Sequence, residues 1–158
     1  SAMNKKFIKT LLIAFVLIIF MIINPYKIIV IRGESMYPTY KNGDILLSSK
    51  DRNYLKGDIV VLKNDFDETI IKRITYMPGE TYYTVAKIVS HDCITEIVDK
   101  KTYENTKQNS KSKYVIAMKD KVPLNQYFIT GDNKDNSDDS RRFGSIEKAK
   151  ILYKIIKW

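Results

Sequence analysis

The hydrophobic pattern divides the chain near residue 24. Residues Leu11 to Ile23 contain no polar side chain, and the apolar run from Phe7 to Ile23 is 17 residues long. As a helix this run spans about 26 Å, near the short limit for crossing a hydrocarbon core of about 30 Å. Lys9 can extend the reach by snorkelling to the interface. The pattern predicts that residues 4–24 form a short cytoplasmic start and a transmembrane helix.

Two alternatives to an anchor are weaker. A cleaved signal peptide would end in small residues, whereas this run ends in Asn24-Pro25-Tyr26-Lys27. A buried core helix would show a polar stripe facing water, and none is present. Lysines 5, 6 and 9 place the N-terminal end in the cytoplasm by the positive-inside rule. Residues 1–3 look like an expression scar, and residues 25–158 are expected to form one extracytoplasmic domain.

Beyond the anchor, the pattern is that of short strands. Runs rich in Ile, Val and Tyr alternate with Gly, Pro, Asn and Asp, which is typical of a sandwich or barrel and predicts a mostly β fold. The predicted strands are Lys27–Arg32, Asp44–Ser48, Asp58–Lys63, Thr69–Tyr76, Tyr82–Ile88, Cys93–Val98, Tyr114–Met118, Gln126–Thr130 and Lys150–Ile156. The polar stretch 99–113 contains almost no aliphatic residue and predicts a mobile surface loop.

Composition narrows the chemistry. The 158 residues carry a formal net charge of +9, and there is one His and one Cys. A single Cys excludes an intramolecular disulfide, and a zinc site rich in His and Cys would need more ligands than the chain has. The basic balance is compatible with nucleic acid, an anionic membrane or an anionic cell wall, and does not choose among them.

One lysine lies in an unusual place. In the strand-like run Thr69–Thr75, period-2 alternation puts Ile70, Lys72 and Ile74 on one face. Burial among apolar side chains lowers the pKa of a lysine, as a general base near neutral pH requires. The alternative is an edge strand whose lysine extends into solvent, and alternation alone favours that alternative.

Two polar segments complete the set of candidates. Ser35 follows a predicted strand and lies beside a glycine, in a turn where its hydroxyl and N–H can both face a substrate. An ordinary turn serine would look the same. The segment Gly131 to Arg141 is dense in Asx and Ser residues and predicts a rigid polar turn. It lacks the glycine at the sixth position and the glutamate at the twelfth position of an EF-hand calcium loop, so a calcium site is not favoured.

Together with the anchor, these three segments resemble the bacterial type I signal peptidase family, which comprises membrane-anchored serine proteases with a Ser–Lys dyad. The resemblance runs from the anchor to Gly144 and is weakest between Tyr82 and Gln126. The motifs that carry it, in the family's order, are Ser35-Met36-Tyr37-Pro38-Thr39, Lys56-Gly57-Asp58-Ile59-Val60-Val61, Lys72-Arg73-Ile74 with Pro78-Gly79-Glu80, and Gly131 to Arg141. The resemblance implies a signal-peptidase-type antiparallel β-sheet or barrel behind one transmembrane helix.

The resemblance also implies a role for each matching residue. Ser35 is the expected nucleophile and Lys72 the expected general base, so that no histidine is needed. Ser137 matches a hydroxyl that hydrogen-bonds to the lysine ammonium and orients it. Asp139 and Arg141 match an ion pair that holds the wall of the active site.

Gly33 is the main departure from the family pattern. Many members have at this position a serine whose hydroxyl donates to the oxyanion, whereas the Gram-positive branch has glycine. The oxyanion would then be bound by backbone N–H groups, chiefly that of Ser35. Arg73 is expected to be structural, since it lies on the opposite strand face from Lys72. No cofactor and no metal are expected.

The expected function is cleavage of N-terminal signal peptides from secreted or surface preproteins at the outer face of the cytoplasmic membrane. Small residues would precede the cleaved bond at positions −3 and −1, and nucleic acid is not an expected partner. One alternative is a signal-peptidase-like accessory factor for pilus assembly. Another is a membrane-tethered module that binds an anionic polymer. A distance of about 3 Å between Ser35 and Lys72 would indicate an assembled dyad.

His91 and Cys93 form the remaining candidate pair. A Cys–His nucleophile or a metal pair is conceivable for two such residues close in sequence. The favoured interpretation is a surface histidine near a buried strand cysteine.

Overall fold

The computed structural model describes residues 4–157 and consists of one long N-terminal helix followed by a β-rich domain. The predicted scar, residues 1–3, lies outside the described residues. The helix α1 covers Lys5–Ile23, begins at the Asn4 cap, and has every residue exposed. It is long and apolar enough to cross a membrane. The predicted mostly β domain with one N-terminal membrane helix is confirmed.

The domain contains two antiparallel sheets, one of seven strands and one of three. The order in the larger sheet is β1-β2-β10-β3-β4-β8-β9, and in the smaller sheet it is β6-β5-β7. The strands are β1 (Tyr26–Val30), β2 (Ile45–Ser49), β3 (Ile59–Lys63), β4 (Thr69–Tyr76), β5 (Thr81–Val89), β6 (Asp92–Val98), β7 (Val115–Lys121), β8 (Gln126–Thr130), β9 (Ile146–Glu147) and β10 (Ile151–Ile155). A short helix α3 (Ser140–Phe143) follows β8, and a 3-10 turn (Lys148–Lys150) precedes β10.

The core lies on both faces of the larger sheet, around β3. Four of the five residues of β3 are fully buried, because side chains pack against each of its faces. Cluster A, on one face, comprises Tyr54, Val60, Leu62, Ile74, Tyr127, Ile129, Ile146 and Ile151, with Ile70 and Met77 packed against it. Cluster B, on the other face, comprises Met36, Ile59, Val61 and Ile155, with Ile29, Tyr40, Leu46, Ile71 and Tyr153 packed against it.

The prediction of a loop over residues 99–113 is wrong. Residues Lys100–Asn109 form a helix, α2, whose N-terminus is capped by the side chain of Asp99. A single residue of α2, Tyr103, is buried, and its ring packs 5.0 Å from that of Tyr83 on β5. An otherwise polar segment is therefore held as a helix by its cap and by one aromatic contact.

The pairing register of β4 determines on which face of the sheet Lys72 lies. Val60 on β3 is paired with Lys72, so the lysine lies on the cluster A face together with Ile70 and Ile74. On its other side β4 pairs with β8 only from Arg73 onward. The first half of β4, residues 69–72, therefore has one edge that no strand of the sheet covers.

Candidate active site

Ser35 lies in a tight turn between β1 and β2. Gly33 has a φ of +81°, a conformation that favours glycine. Its N–H donates to Asn42 Oδ1 at 3.0 Å, which ties the two arms of the connection together. The neighbouring Met36 is 2% exposed and packs into cluster B. The turn is thus held from below by an apolar side chain, while Ser35 stays partly accessible.

Lys72 reaches Ser35 from β4. The Lys72 side chain is 4% exposed, and its Nζ donates to Ser35 Oγ at 2.8 Å. Burial lowers the pKa of Lys72 below the usual lysine value, and the negative charge of Asp139 opposes this shift only in part. The alternative of an edge lysine extending into solvent is wrong, because cluster A and the Gly131 segment enclose this side chain.

Asp139 is the centre of the third segment and is fully buried. It accepts hydrogen bonds from the Gly131 N–H at 2.8 Å, from Ser137 Oγ at 2.7 Å, and from Arg141 Nε and Nη2 at 2.9 and 2.8 Å. Burial by itself would raise the pKa of Asp139, but these hydrogen bonds together hold the pKa below its ordinary value. The predicted Asp139–Arg141 ion pair is present, and the hydrogen bond from the Gly131 N–H to Asp139 joins the two ends of the segment.

The third segment also contacts the turn that carries Ser35. The Asn133 N–H donates to the Ser35 carbonyl at 2.9 Å, and Asn133 Nδ2 donates to the Glu34 carbonyl at 3.1 Å. A Cβ at Gly131 would lie 2.2 Å from Ser137 Oγ and 2.5 Å from the Ser35 carbonyl oxygen. Only glycine can let the two segments approach this closely.

Ser137 differs from expectation in its hydrogen bond. Its hydroxyl donates to Asp139, and in the part of the chain that the structure describes it makes no hydrogen bond to Lys72. The charged carboxylate of Asp139 takes the single hydroxyl proton, and the Lys72 amine is directed to Ser35 Oγ instead of the Ser137 oxygen. The predicted contact from Ser137 to the lysine is absent here, although Ser137 lies close to Gly131 and, through it, to the Ser35 turn.

A second ion pair was not predicted. Arg73 Nε and Nη2 donate to Asp132 Oδ1 and Oδ2 at 2.8 and 2.6 Å, and Arg73 Nη1 donates to the Gly57 carbonyl at 2.9 Å. Asp132 also accepts from the Thr39 hydroxyl at 2.5 Å. These contacts fit the expected structural role of Arg73, and Asp132 is its ion-pair partner. The sequence shows an aspartate, Asp132, directly after Gly131. Only the fold shows that this aspartate pairs with Arg73 on β4.

A cleft of about 480 Å³ leads to Ser35 on the cluster B face of the sheet. We call it the dyad cleft. One wall is the end of β1 and the turn that follows it, and the other is the uncovered first half of β4. Its lining residues are Ile28, Ile29, Val30, Ile31, Arg32, Gly33, Ser35, Met36, Thr69, Ile70, Ile71 and Lys72.

His91 and Cys93 lie at the hairpin between β5 and β6 and do not line the dyad cleft. Both are exposed. The expectation of a buried Cys93 is wrong, because β6 is an edge strand with a partner on one side only. Among residues 4–157, no three His, Cys, Asp or Glu side chains are grouped so that they could hold a metal ion.

Comparison with known proteins adds the family. The model of the family "Signal peptidase, peptidase S26" matches residues 4–157. The chain belongs to this family. Signal peptidase I S of Bacillus subtilis (strain 168) is 34% identical over 159 residues, covering 90% of this chain and 82% of that protein. Signal peptidase IB of Staphylococcus aureus (strain N315) is 29% identical over 176 residues, covering 95% and 86%.

A solved structure is similar over a smaller part. The crystal structure of a signal peptidase I from Enterococcus faecalis V583 matches with a TM-score of 0.40 at 20% identity, covering 66% of this chain and 97% of that one. Membership of the peptidase S26 family implies a serine peptidase.

Proposed function

We propose that this protein is a type I signal peptidase that cleaves signal peptides from exported preproteins, with Ser35 as nucleophile and Lys72 as general base. The observation that carries the proposal is the 2.8 Å contact between Lys72 Nζ and Ser35 Oγ in a nearly dry setting. That distance is within the range in which a base can take a proton directly. It favours a working peptidase over a non-catalytic accessory factor for pilus assembly.

In the acylation step, neutral Lys72 takes the proton of the Ser35 hydroxyl as Oγ attacks the scissile carbonyl carbon. Negative charge then develops on the carbonyl oxygen. The backbone N–H of Ser35 has no acceptor among residues 4–157, so it is available to donate to this oxyanion. Gly33 has no hydroxyl to add, so backbone donors carry this task. The protonated Lys72 gives its proton to the leaving amine.

In the deacylation step, Lys72 is again neutral and accepts a proton from the attacking water. The ester bond to Ser35 breaks, and the serine recovers its proton. Asn133 keeps the turn that carries Ser35 in place throughout, because its backbone and side-chain N–H groups donate to the carbonyls of Ser35 and Glu34. The close approach of Gly131 to the Ser35 carbonyl packs the third segment against the same turn. Burial of Lys72 supports both steps, since it lowers the pKa of the amine and so favours its neutral form.

The dyad cleft fits an extended peptide. The uncovered edge of residues 69–72 offers backbone groups to an added strand, and the end of β1 faces it across the cleft. In such a strand, alternate side chains enter the cleft beside Ser35, which assigns them to positions −1 and −3 of the preprotein. The small residues expected there would fit next to Met36 and Ile71.

The helix α1 would hold the β domain at the membrane. We place α1 across the cytoplasmic membrane, with the end that carries Lys5, Lys6 and Lys9 in the cytoplasm and the β domain outside. Signal peptides would then emerge beside the site. Tethering both reactants to one membrane raises their effective concentration without any new contact.

The decisive experiment is cleavage of a preprotein by the full chain in detergent or lipid. Ser35→Ala and Lys72→Ala should each lower kcat/KM by on the order of 10³-fold or more, because each removes one member of a unit that works together. Lys119→Ala and Ser110→Ala are matched controls at exposed positions and should retain the wild-type rate. Wild-type cleavage by either dyad variant would exclude the proposed mechanism.

A further inference from the structure

A second cleft opens on the other side of the β4 edge. It has a volume of about 430 Å³ and shares Ile70 and Lys72 with the dyad cleft. Its apolar lining consists of Ile70, Phe143 and Ile146, together with Phe66 at the tip of the β3–β4 hairpin. Phe66 is 83% exposed, so its ring stands at the rim without a covering partner. We call this site the hairpin cleft.

The charged groups around the hairpin cleft are mostly paired with one another. Lys150 bonds to Asp65, and Arg142 lies 3.5 Å from Asp138. Asn64 Nδ2 donates to Glu68 at 2.8 Å. Because these groups satisfy each other at the rim, the cleft presents an apolar floor to a ligand. Such a surface suits an uncharged, apolar side chain.

The two clefts lie on opposite faces of the same strand edge. Ile71 packs into cluster B beside the dyad cleft, whereas Ile70 packs into cluster A beside the hairpin cleft. A peptide added along residues 69–72 has the same alternation, so its successive side chains point to opposite faces. If the −1 and −3 side chains enter the dyad cleft, the −2 side chain between them is directed to the hairpin cleft.

We propose that the hairpin cleft is a specificity pocket for the −2 residue of the preprotein and that it prefers a large apolar side chain such as Leu or Phe. This inference rests on the proposed function, because it uses the same strand addition. Phe143 forms the inner wall and Phe66 the rim. Its preference comes from this apolar lining, so the substrate would alternate small residues at −1 and −3 with a large apolar residue at −2.

The test measures binding to the full-length Ser35→Ala variant in detergent micelles. The probes are synthetic peptides that span one cleavage site, differ only at −2, and carry Ala, Leu, Phe or Asp there. We expect the Leu and Phe peptides to bind on the order of 10-fold more tightly than the Ala peptide, in line with discrimination by hydrophobic pockets. The Asp peptide should bind no better than the Ala peptide.

Second-site variants assign the preference to the cleft. Phe143→Ala, added to Ser35→Ala, should reduce the Leu-to-Ala ratio to below about 3-fold. Phe66→Ala changes an exposed hairpin tip, so it should fold normally and also reduce the ratio. Leu124→Ala is the matched control: this side chain is 82% exposed, does not line either cleft, and should leave the ratio unchanged.

Two results would overturn the proposal. One is equal affinity for the Ala and Leu peptides, or no measurable binding of any of them. The other is a preference that survives in both phenylalanine variants. Because binding needs no turnover, a wild-type protein that binds with the −2 preference but never cleaves would count against the proposed function alone.

Discussion

Burial of Lys72 has an energetic cost, and it also changes the protonation of the amine. Its side chain lies opposite Val60 in a sheet whose faces are apolar, and charging it there requires desolvation. The negative charge of Asp139 favours the ammonium form, but Arg141 binds that carboxylate directly and offsets its effect. The net result is an amine that is more easily neutral than an ordinary lysine.

The lowered pKa of Lys72 predicts the direction of the pH dependence. The amine must be neutral to accept the Ser35 proton, so kcat/KM should fall as the pH drops through this pKa and level off above it. The basic plateau should therefore begin below the ordinary lysine pKa of about 10.4. The measurement is a pH profile of kcat/KM with a short peptide, accompanied by unfolding controls at each pH. A rate that rises until the ordinary lysine pKa would contradict the prediction.

At the scale of elements, β4 combines two functions along its length. Its second half pairs with β8, which carries the chain into Gly131 and the third segment. Its first half leaves one edge uncovered between the dyad cleft and the hairpin cleft. The β8 pairing begins at Arg73, so the edge proposed for the substrate strand ends one residue away, at Lys72.

The helix α2 is a second element whose stability can be tested locally. Its cap is the hydrogen bond from the Thr102 N–H to Asp99 Oδ1 at 2.6 Å, and that bond also lowers the pKa of Asp99. Asp99→Ala should increase amide hydrogen exchange across Lys100–Asn109, because the first turn loses its acceptor. Asp99→Asn, which keeps an acceptor, is the conservative control. Peptide cleavage should be unaffected in both, since α2 does not line either cleft.

For the whole molecule, the anchor and the catalytic domain are separable in their packing. All residues of α1 are exposed, and the buried hydrophobic residues lie between Ile31 and Ile155. We therefore expect the domain to fold without the helix. The helix is needed for location, because its apolar surface is suited to lipid and not to water.

Removal of residues 1–24 tests this separation. The truncated protein should fold and cleave a short soluble peptide with a kcat/KM within a few-fold of the full chain. Its rate on a membrane-inserted preprotein should fall by about 10-fold or more, because the benefit of co-localisation is lost. Both rates are measured in the same lipid vesicles. Equal losses on the two substrates would show that the anchor supports the site itself.

Several features followed from the sequence because they depend on local pattern. The anchor is a run of apolar residues, and the β4 alternation places Ile70, Lys72 and Ile74 on one face wherever the strand lies. The segments bearing Ser35, Lys72 and Asp139 were recognised by their resemblance to a family. The polar stretch after residue 99 reads as a loop in the sequence, because the contact that holds it as a helix is not local. Its one buried residue, Tyr103, packs against Tyr83 on another strand.

The tertiary structure decided the rest. Alternation alone favours an edge lysine in solvent, and only the packing around β4 shows that Lys72 is buried. The partner of Arg73 is also decided by the tertiary structure, because Asp132 lies far along the chain from β4. The sequence determined which chemical groups the protein has; long-range packing determined which of them are dry, paired and within reach of Ser35.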